Sequence, residues 1–354
     1  MKAHLGELLV VEVEKAAWNS SLQDLLECTR PAGVLFRRLE SAAAAAEAAV
    51  KCAYTLGSAP FLGVEESGAG GLSGILSPLG DAAAMNPSRA ATAAELIGAA
   101  MDLMGLNFNL APALDLPESE GGAAANSQPS GESAAARAAR LAEAAEAFLG
   151  GLERHHILAC GRHFPGLPSQ QVASRAPAGA ARLIAKTMSA LWHEDLVPFR
   201  KLASRLPAIE ISPAIYKAYD YEFPRLACLS DHVVEGLLRV KLAYQGVAVA
   251  DVAAAARAAG INADEAAIRA VVAGCDLLLV PAGQCERVAA SLGRAAEVGH
   301  LARERLDHAW RRVRAARRGL RSPKKTPAPA ALDKLAREFA DFARDLAAEE
   351  CRHG

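Results

Sequence analysis

The sequence lacks an excess of charge of either sign. Its 39 lysine and arginine residues nearly balance 40 aspartate and glutamate residues, and the formal net charge is −1. A chain without a basic surplus has no electrostatic reason to prefer nucleic acid or anionic membranes. We therefore expect neither as a partner.

The usual signs of disulfide frameworks, membrane spans and signal peptides are also missing. The seven cysteines form no Cys-x-x-Cys pair, and their odd number argues against a complete disulfide framework. No apolar run approaches the roughly 20 residues of a membrane span. Residues 1–15 carry acidic residues within their apolar stretch, unlike the basic and apolar regions of a signal peptide. The sequence therefore predicts a cytoplasmic protein.

The composition is that of a globular protein. Of the 354 residues 52% are hydrophobic and 22% are charged, which is not typical of a disordered chain. The chain is longer than the roughly 250 residues of a typical (β/α)-barrel, so one large domain with additions is expected.

Short apolar segments alternate with longer segments of helical period, which indicates parallel strands joined by helical crossovers. Strands are predicted at 8–13, 33–36, 61–64, 107–110, 157–160, 208–211, 246–250 and 277–280. Helices are predicted at 42–56, 88–104, 133–154, 179–204, 229–240 and 262–273. Eight strands fit a closed (β/α)8 barrel of the TIM type, although an open doubly wound sheet would give a similar pattern.

The last part of the chain departs from this alternation. Residues 321–331 are rich in proline and lysine and are predicted to be a linker after a barrel at 1–320. An amphipathic helix is predicted at 332–354, with Leu and Phe at three- or four-residue spacing. We expect this helix to pack on the barrel; it could also seal a dimer, so a monomer and a homodimer both stay open.

Three parts of the sequence carry short motifs: Gly-Leu-Asn-Phe-Asn-Leu-Ala-Pro-Ala-Leu-Asp at 105–115, Gly-Arg-His-Phe-Pro-Gly at 161–166, and the segments 238–251 and 273–280. Together they resemble family 3 glycoside hydrolases of the β-N-acetylglucosaminidase branch. Residues 105–115 (Gly-Leu-Asn-Phe-Asn-Leu-Ala-Pro-Ala-Leu-Asp) are similar to that family's G-I/L-N-x-N-x-A-P-V-x-D segment. Residues 161–166 (Gly-Arg-His-Phe-Pro-Gly) are similar to its G-K-H-F-P-G segment. Residues 238–251 and 273–280 resemble its segments around the nucleophile and the next strand. The matches run in the family's order from about 30 to 282.

The resemblance implies a TIM-type barrel that hydrolyses β-linked N-acetylglucosamine by a retaining mechanism without a cofactor or a metal. Asp251 stands at the position of the family's catalytic nucleophile. The positions that would bind the substrate hold Glu65, Asp115, Arg162 and His163. Most of these residues follow predicted strands, and the carboxyl ends of barrel strands carry the active site. The implied partner is a carbohydrate, either a glycan containing N-acetylglucosamine or a muropeptide.

Several of the family's functional positions are changed. The family's acid/base is an Asp-His pair on a loop, and the corresponding positions hold Ala173 and Arg175. Arginine stays protonated and cannot donate a proton, so the activity is expected to be weakened or lost. Other changed sugar-binding positions hold Gly70, Asn126 and Pro213.

Two interpretations follow. In the first, the chain is a working glycosidase whose proton comes from Glu66, His163 or an acid of residues 117–132, namely Glu118, Glu120 or Glu132. In the second, it is a pseudoenzyme, a non-catalytic sugar-binding or scaffolding module. A weaker third idea is that Arg162 and Arg175 bind an anion. The loop 165–178, which holds three prolines, is expected to be mobile.

Overall fold

The computed structural model describes residues 2–57, 59–66, 85–116, 132–167, 179–323 and 325–353. Eight parallel strands form a closed barrel: β1 Leu9–Lys15, β2 Gly33–Arg38, β3 Phe61–Val64, β4 Phe108–Asn109, β5 Leu158–Phe164, β7 Ala208–Ile211, β9 Val247–Asp251 and β10 Leu277–Pro281. Around the barrel they lie in the order β1-β10-β9-β7-β5-β4-β3-β2. All eight predicted strands lie in it. The predicted TIM-type barrel is therefore confirmed, and the open sheet is excluded.

The two faces of each barrel strand are both apolar but contact different parts of the core. Successive side chains of a strand point to opposite faces. One set, which includes Val10, Leu35 and Val249, packs inside the barrel. The other set, which includes Val11, Val34 and Ala250, packs against the surrounding helices. This alternation fixes which residues at the end of each strand face the barrel axis.

Most helices begin where a short polar side chain caps the first turn. The side chains of Asn19, Ser41, Asn86, Ser133 and Asn262 each accept a hydrogen bond from a backbone N–H two or three residues into the helix. The helices of the first two thirds are α1 Ser20–Thr29, α2 Ala42–Leu56, α3 Pro87–Leu103, α4 Ala134–Arg154, α5 Met188–His193 and α6 Leu196–Leu202. The later ones are α7 Val252–Ala259, α8 Ala263–Ala273, α9 Ala282–Glu297, α10 Arg303–Arg317 and α11 Pro329–His353.

The single helix predicted at 179–204 is wrong. That segment contains the short strand β6 Leu183–Ile184, followed by α5 and α6. Strand β6 pairs with β8 Ile215–Tyr216, a partner distant in sequence that a local pattern does not reveal. The segment predicted as a helix at 229–240 is a π-helix at His232–Lys241.

The amino end of the barrel is closed around one buried carboxylate. Asp276, which precedes β10 and is fully buried, pairs with Arg239 in a short contact. It also pairs with Arg305 at 2.8 Å and Arg312 at 3.3 Å, and its Oδ2 accepts from the backbone N–H of Ala248 at 3.0 Å. A single carboxylate therefore ties α10 and the π-helix to strand β9.

The final helix α11 begins at Pro329, inside the predicted linker, and proline is well tolerated in the first turn of a helix. Leu335 and Phe339 are buried, and α11 contacts α3. The Nδ2 of Asn107 donates to the carbonyl of Arg321, which fixes the chain ahead of the helix to the barrel. The division into barrel, linker and packed terminal helix remains a prediction.

The cysteines and the helices of the described residues can be compared with the expectations about disulfides and membrane spans. The cysteines whose side chains are described, Cys28, Cys52, Cys160, Cys228, Cys275 and Cys285, are free thiols. Among the described helices, none combines the length and apolar character needed to cross a bilayer.

Candidate active site

Six barrel strands end in charged side chains that face the barrel axis. Each charged residue stands two or four positions after an apolar residue that packs inside the barrel. Because residues two or four positions apart lie on the same face of a strand, the charged side chain also faces the barrel axis. The six are Glu12 on β1, Arg37 on β2, Glu65 after β3, Arg162 on β5, Glu210 on β7 and Asp251 on β9. Together they form the mouth of the barrel at the carboxyl ends of the strands, where barrel enzymes carry their active sites.

Arg37 connects three carboxylates of the mouth. Its Nη2 makes a short contact with Oε1 of Glu12 and lies 3.3 Å from Oδ2 of Asp251. Its Nη1 lies 3.3 Å from Oε2 of Glu65. Glu12 and Asp251 therefore share one nitrogen atom, although their strands are not adjacent in the barrel.

Arg162 makes the second set of ion pairs across the mouth. Its Nη2 makes a short ion pair with Oε1 of Glu65, and its Nη1 lies 3.9 Å from Oε2 of Glu210. Glu65 is thus held between two guanidinium groups. An anion at Arg162, one of the alternatives above, would have to compete with carboxylates that are already in place.

His163 and Asp115 form a buried pair beside this network. The Nδ1 of His163 lies 2.7 Å from Oδ2 of Asp115, and the backbone N–H groups of His163 and Leu167 donate to Oδ1 of Asp115. The Nε2 of His163 faces Oε1 of Glu210 at 3.9 Å. Asp115 therefore fixes the orientation of the imidazole, and its ring presents Nε2 towards Glu210.

Burial and neighbouring charges raise the pKa of two carboxyl groups of the mouth and lower the pKa of a third. Burial, assisted by the charges of Asp251 and Glu210, raises the pKa of Glu12 to about 8 despite its contact with Arg37. Burial also raises the pKa of Glu210. Burial opposes ionisation of Glu65 too, but the hydrogen bond and charge of Arg162 outweigh it and lower the pKa of Glu65. The mouth therefore contains two carboxyl groups whose pKa is raised and one whose pKa is lowered.

The pKa of His163 is raised above its ordinary value. Burial favours the neutral imidazole, but the charge of Asp115, followed by that of Glu210 and the hydrogen bond to Asp115, outweighs it. The charged form of the ring is stabilised by its carboxylate neighbours.

Asp251 is held at both oxygens. Its Oδ1 accepts a hydrogen bond of 2.8 Å from the backbone N–H of Ala254 and caps α7, and its Oδ2 faces Arg37. Strand β9 ends and helix α7 begins at this residue, so the helix N-terminus also favours a negative charge here. The carboxylate points into the mouth.

The structure brings all five sequence-predicted site residues together. Glu65, Arg162 and Asp251 belong to the ion-pair network, and the His163–Asp115 pair adjoins it through Glu210. Their catalytic and binding roles remain predictions. Sequence reasoning missed Glu12, Arg37 and Glu210. The signal was present, because each follows an inward apolar residue by two positions near the end of a predicted strand.

The alternative proton donors have different surroundings. Glu66 is buried, and its backbone exchanges two hydrogen bonds with the side chain of Asn109. Glu132 pairs with Arg140 at 2.8 Å at the start of α4. The positions Gly70, Glu118, Glu120, Asn126, Ala173 and Arg175 lie outside the described residues, as does the loop 165–178 beyond Leu167. Within the described ranges, no group of three His, Cys, Asp or Glu side chains could hold a metal ion.

The sequence matches the model of the Glycosyl hydrolase family 3 N terminal domain over residues 5–316. The chain belongs to glycosyl hydrolase family 3. A β-hexosaminidase of Pseudomonas aeruginosa (strain LESB58) is 31% identical over 186 residues, which are 52% of this family 3 chain and 53% of that relative. The chain thus spans about half of the length of the curated relatives it matches. These relatives agree with the branch to which the motifs point.

Solved structures resemble the barrel over most of its length. A family 3 β-N-acetylglucosaminidase from Paenibacillus sp. str. FPU-7 has a TM-score of 0.77 at 21% identity, covering 97% of this chain and 68% of that one. A β-N-acetylhexosaminidase from Beutenbergia cavernae DSM 12333 has a TM-score of 0.74 at 24% identity, covering 89% of this chain and 98% of that one. At these identities the likeness establishes the family 3 fold alone.

Proposed function

We propose that the barrel mouth is a sugar site of the β-N-acetylhexosaminidase type, in which Asp251 is the nucleophile of a slow retaining hydrolysis. The observation that carries the proposal is the placement of Asp251. Its carboxylate faces the barrel axis at the end of β9, and both of its oxygens are held by donors. A carboxylate held at this point can attack the anomeric carbon of a bound sugar and form a glycosyl-enzyme.

A second carboxyl group supports a retaining rather than an inverting mechanism. The oxygens of Glu12 and Asp251 contact the same Nη2 of Arg37, so the two carboxyl groups lie closer together than the about 6.5–9.5 Å that separates the carboxyl groups of inverting glycosidases. Because the pKa of Glu12 is raised to about 8, this carboxyl keeps its proton near neutral pH. Glu12 is therefore our candidate for protonating the leaving oxygen in place of the family's Asp-His pair.

The hydrolysis is proposed to be slow for two reasons. The positions of the family's acid/base pair hold Ala173 and Arg175, and Glu12, which contacts Arg37, would recover only part of the about 10²–10⁴ in rate that a general acid typically contributes. In addition, the guanidinium of Arg37 withdraws charge from the attacking oxygen of Asp251. The proposed substrate is a β-linked N-acetylglucosamine glycan or muropeptide, in keeping with the activity named for the sequence relatives.

The test is the turnover of an aryl N-acetyl-β-glucosaminide with a very good leaving group. Such a leaving group departs without protonation, so the assay tests the nucleophile alone. Asparagine can also cap a helix, so Asp251→Asn should keep the fold of α7 while removing the attacking oxygen. We expect release by the wild type and by the control Asp264→Asn, and none by Asp251→Asn. Release that is independent of Asp251 would contradict the proposal.

A second candidate is a non-catalytic sugar-binding module. It is favoured by one observation: Arg37 and Arg162 pair with carboxylates of the mouth, including the proposed nucleophile. Under this alternative the wild type would bind the sugar without any release that depends on Asp251. An equilibrium binding measurement on the same glycoside, made beside the turnover assay, separates the two functions.

A further inference from the structure

A cavity of about 460 Å³ lies at the amino end of the barrel, opposite the mouth. Three of its lining residues stand shortly before barrel strands: Glu7 before β1, Pro31 before β2 and Ala59 before β3. The other lining residues are Arg30, Leu56, Arg314, Arg317 and Arg318. In this amino-end cavity four arginines therefore share the lining with one carboxylate.

Two of the arginines are fixed by neighbouring groups. Nε and Nη2 of Arg314 lie 2.8 and 3.1 Å from the two carboxylate oxygens of Glu7. Nε of Arg317 donates to the carbonyl of Ala59 at 2.9 Å. Burial lowers the pKa of Arg317; the charge of Glu7 opposes this effect, and the charge of Arg314 adds to it. The one carboxylate of the cavity is thus engaged by Arg314 and does not offset the burial of Arg317.

The other two arginines, Arg30 and Arg318, form no ion pair with a carboxylate among the described residues. Both are exposed, and Nη1 of Arg30 lies 3.4 Å from the carbonyl of Thr55. A guanidinium group has five N–H donors in a planar fork. Both side chains therefore have donors to offer to a bound anion.

The ends of helices account for part of this positive charge but not for all of it. Helices α1, α2 and α10 end beside the cavity, at Thr29, Leu56 and Arg317. The carboxyl end of a helix carries about half a negative elementary charge. Three such ends and Glu7 leave roughly one to two positive charges in excess among the four arginines.

A phosphate monoester matches this excess in charge and in shape. Its phosphate carries a charge of about −1.5 to −2 near neutral pH and three strong acceptor oxygens. The planar fork of arginine suits phosphate oxygens because it can form two parallel hydrogen bonds. Pro31, Leu56 and Ala59 supply an apolar part of the lining, which can cover a small organic substituent on the phosphate. The volume falls within the about 300–1,000 Å³ of small-molecule sites.

We infer that the amino-end cavity binds a small phosphate monoester, with Arg30 and Arg318 donating to the phosphate. The substituent packs on Pro31 and Leu56. The cavity lies at the opposite end of the barrel from the mouth, so this inference goes beyond the proposed function and does not depend on it. The amino end of such barrels contributes to stability rather than to chemistry. The site is therefore a binding site, and its ligand stabilises the folded barrel by mass action.

The experiment is a calorimetric titration of the full chain with phenyl phosphate, at low ionic strength and above the second pKa of the phosphate, which is about 6. We expect a dissociation constant of about 1 mM or below. Phenyl sulfate has the same ring and one charge fewer, so it should bind about tenfold more weakly. Inorganic phosphate cannot use the apolar lining and should also bind about tenfold more weakly.

The substitutions Arg30→Gln and Arg318→Gln each remove one guanidinium group from the cavity. We expect the dissociation constant for phenyl phosphate to rise about tenfold in each variant. Because both side chains are exposed, both variants should fold, which circular dichroism checks. Arg303→Gln is the matched control: Arg303 is exposed at the other end of α10, roughly 20 Å away along the helix axis. This control should leave the affinity unchanged.

Four results would overturn the inference. The wild type could show no saturable binding of phenyl phosphate. Unchanged affinity in both Arg30→Gln and Arg318→Gln would place the ligand elsewhere. Equal affinity for phenyl sulfate and phenyl phosphate would reveal unselective ion pairing. Binding to phosphatidylcholine vesicles that contain phosphatidic acid, without binding of phenyl phosphate, would assign the arginines to a membrane surface.

Discussion

The guanidinium of Arg37 lies 3.3 Å from Oδ2 of Asp251 and makes a short contact with Glu12 through the same nitrogen. One side chain from β2 thereby joins carboxyls from β1 and β9. This contact places a positive charge beside the proposed nucleophile and connects three strands at the mouth of the barrel.

Removal of Arg37 should destabilise the fold in a pH-dependent manner. In Arg37→Gln the neighbouring carboxylates lose their counter-ion. Breaking a buried ion pair typically costs about 3–5 kcal/mol, and we expect the unfolding free energy of this variant to fall by close to the lower of these values. The loss should be larger at pH 8 than at pH 5, because protonation removes the unbalanced charge. Denaturant titrations at pH 5 and pH 8 measure the loss of unfolding free energy. Arg38→Gln, next to it in an exposed pair with Glu14, should cost about 0–1 kcal/mol. Equal effects of the two substitutions would contradict this account.

Glu12 should make the protein less stable as the pH rises. Its pKa rises from 4.5 to about 8 on folding, so the folded state binds the proton more tightly. The stabilisation is complete below pH 4.5 and is lost progressively up to about pH 8. In Glu12→Gln this contribution is absent, and the fall in unfolding free energy between pH 5 and 8 should be smaller. Glu14→Gln is the control. Identical pH profiles for the wild type and Glu12→Gln would show that Glu12 is ionised throughout the range.

Asp276 should be the most costly carboxylate to neutralise at the amino end of the barrel. Asp276→Asn leaves Arg239, Arg305 and Arg312 without their shared counter-ion, and the expected loss is about 3–5 kcal/mol. Asp264 pairs with Arg287 near the surface, so Asp264→Asn should cost about 0–1 kcal/mol. The comparison requires only chemical denaturation at neutral pH. A similar loss in both variants would mean that the three arginines are stabilised by other groups.

The terminal helix should contribute to the stability of the barrel. Phe339 is 1% exposed, and Phe339→Ala should cost about 3–5 kcal/mol if α11 is packed on the barrel in solution. Phe342, on the same helix, is only partly buried, so Phe342→Ala should cost clearly less. A single cooperative unfolding transition, shifted most by Phe339→Ala, would support the packed arrangement. No shift would indicate that the helix is a separate unit.

The strands were predictable from sequence because their signals are local. The limits of Phe61–Val64 and Ala208–Ile211 agree with the prediction residue for residue, since short apolar runs between polar segments mark buried parallel strands. The placement of β6 was not predictable, because its pairing with Ile215–Tyr216 depends on contacts distant in sequence. Helices α1 and α7 were also missed; both are short.

The candidate site was predictable only in part, for a similar reason. The resemblance to family 3 pointed to Asp115, His163 and Asp251, which occur in recognisable segments. Arg37 and Glu210 carry no such local pattern. Their significance arises from the closure of the barrel, which brings strands distant in sequence to one axis and pairs their final inward residues. The strand alternation could have identified these residues, but not their partners.

The most direct test of the central claim is a search for the glycosyl-enzyme itself. The wild type is mixed with an aryl N-acetyl-β-glucosaminide with a very good leaving group, quenched with acid and digested for mass spectrometry. We predict a peptide heavier by one sugar residue, with the sugar on Asp251, and no such peptide from Asp251→Asn. Aryl release without an adduct on Asp251, or an adduct on a different residue, would show that Asp251 is not the nucleophile.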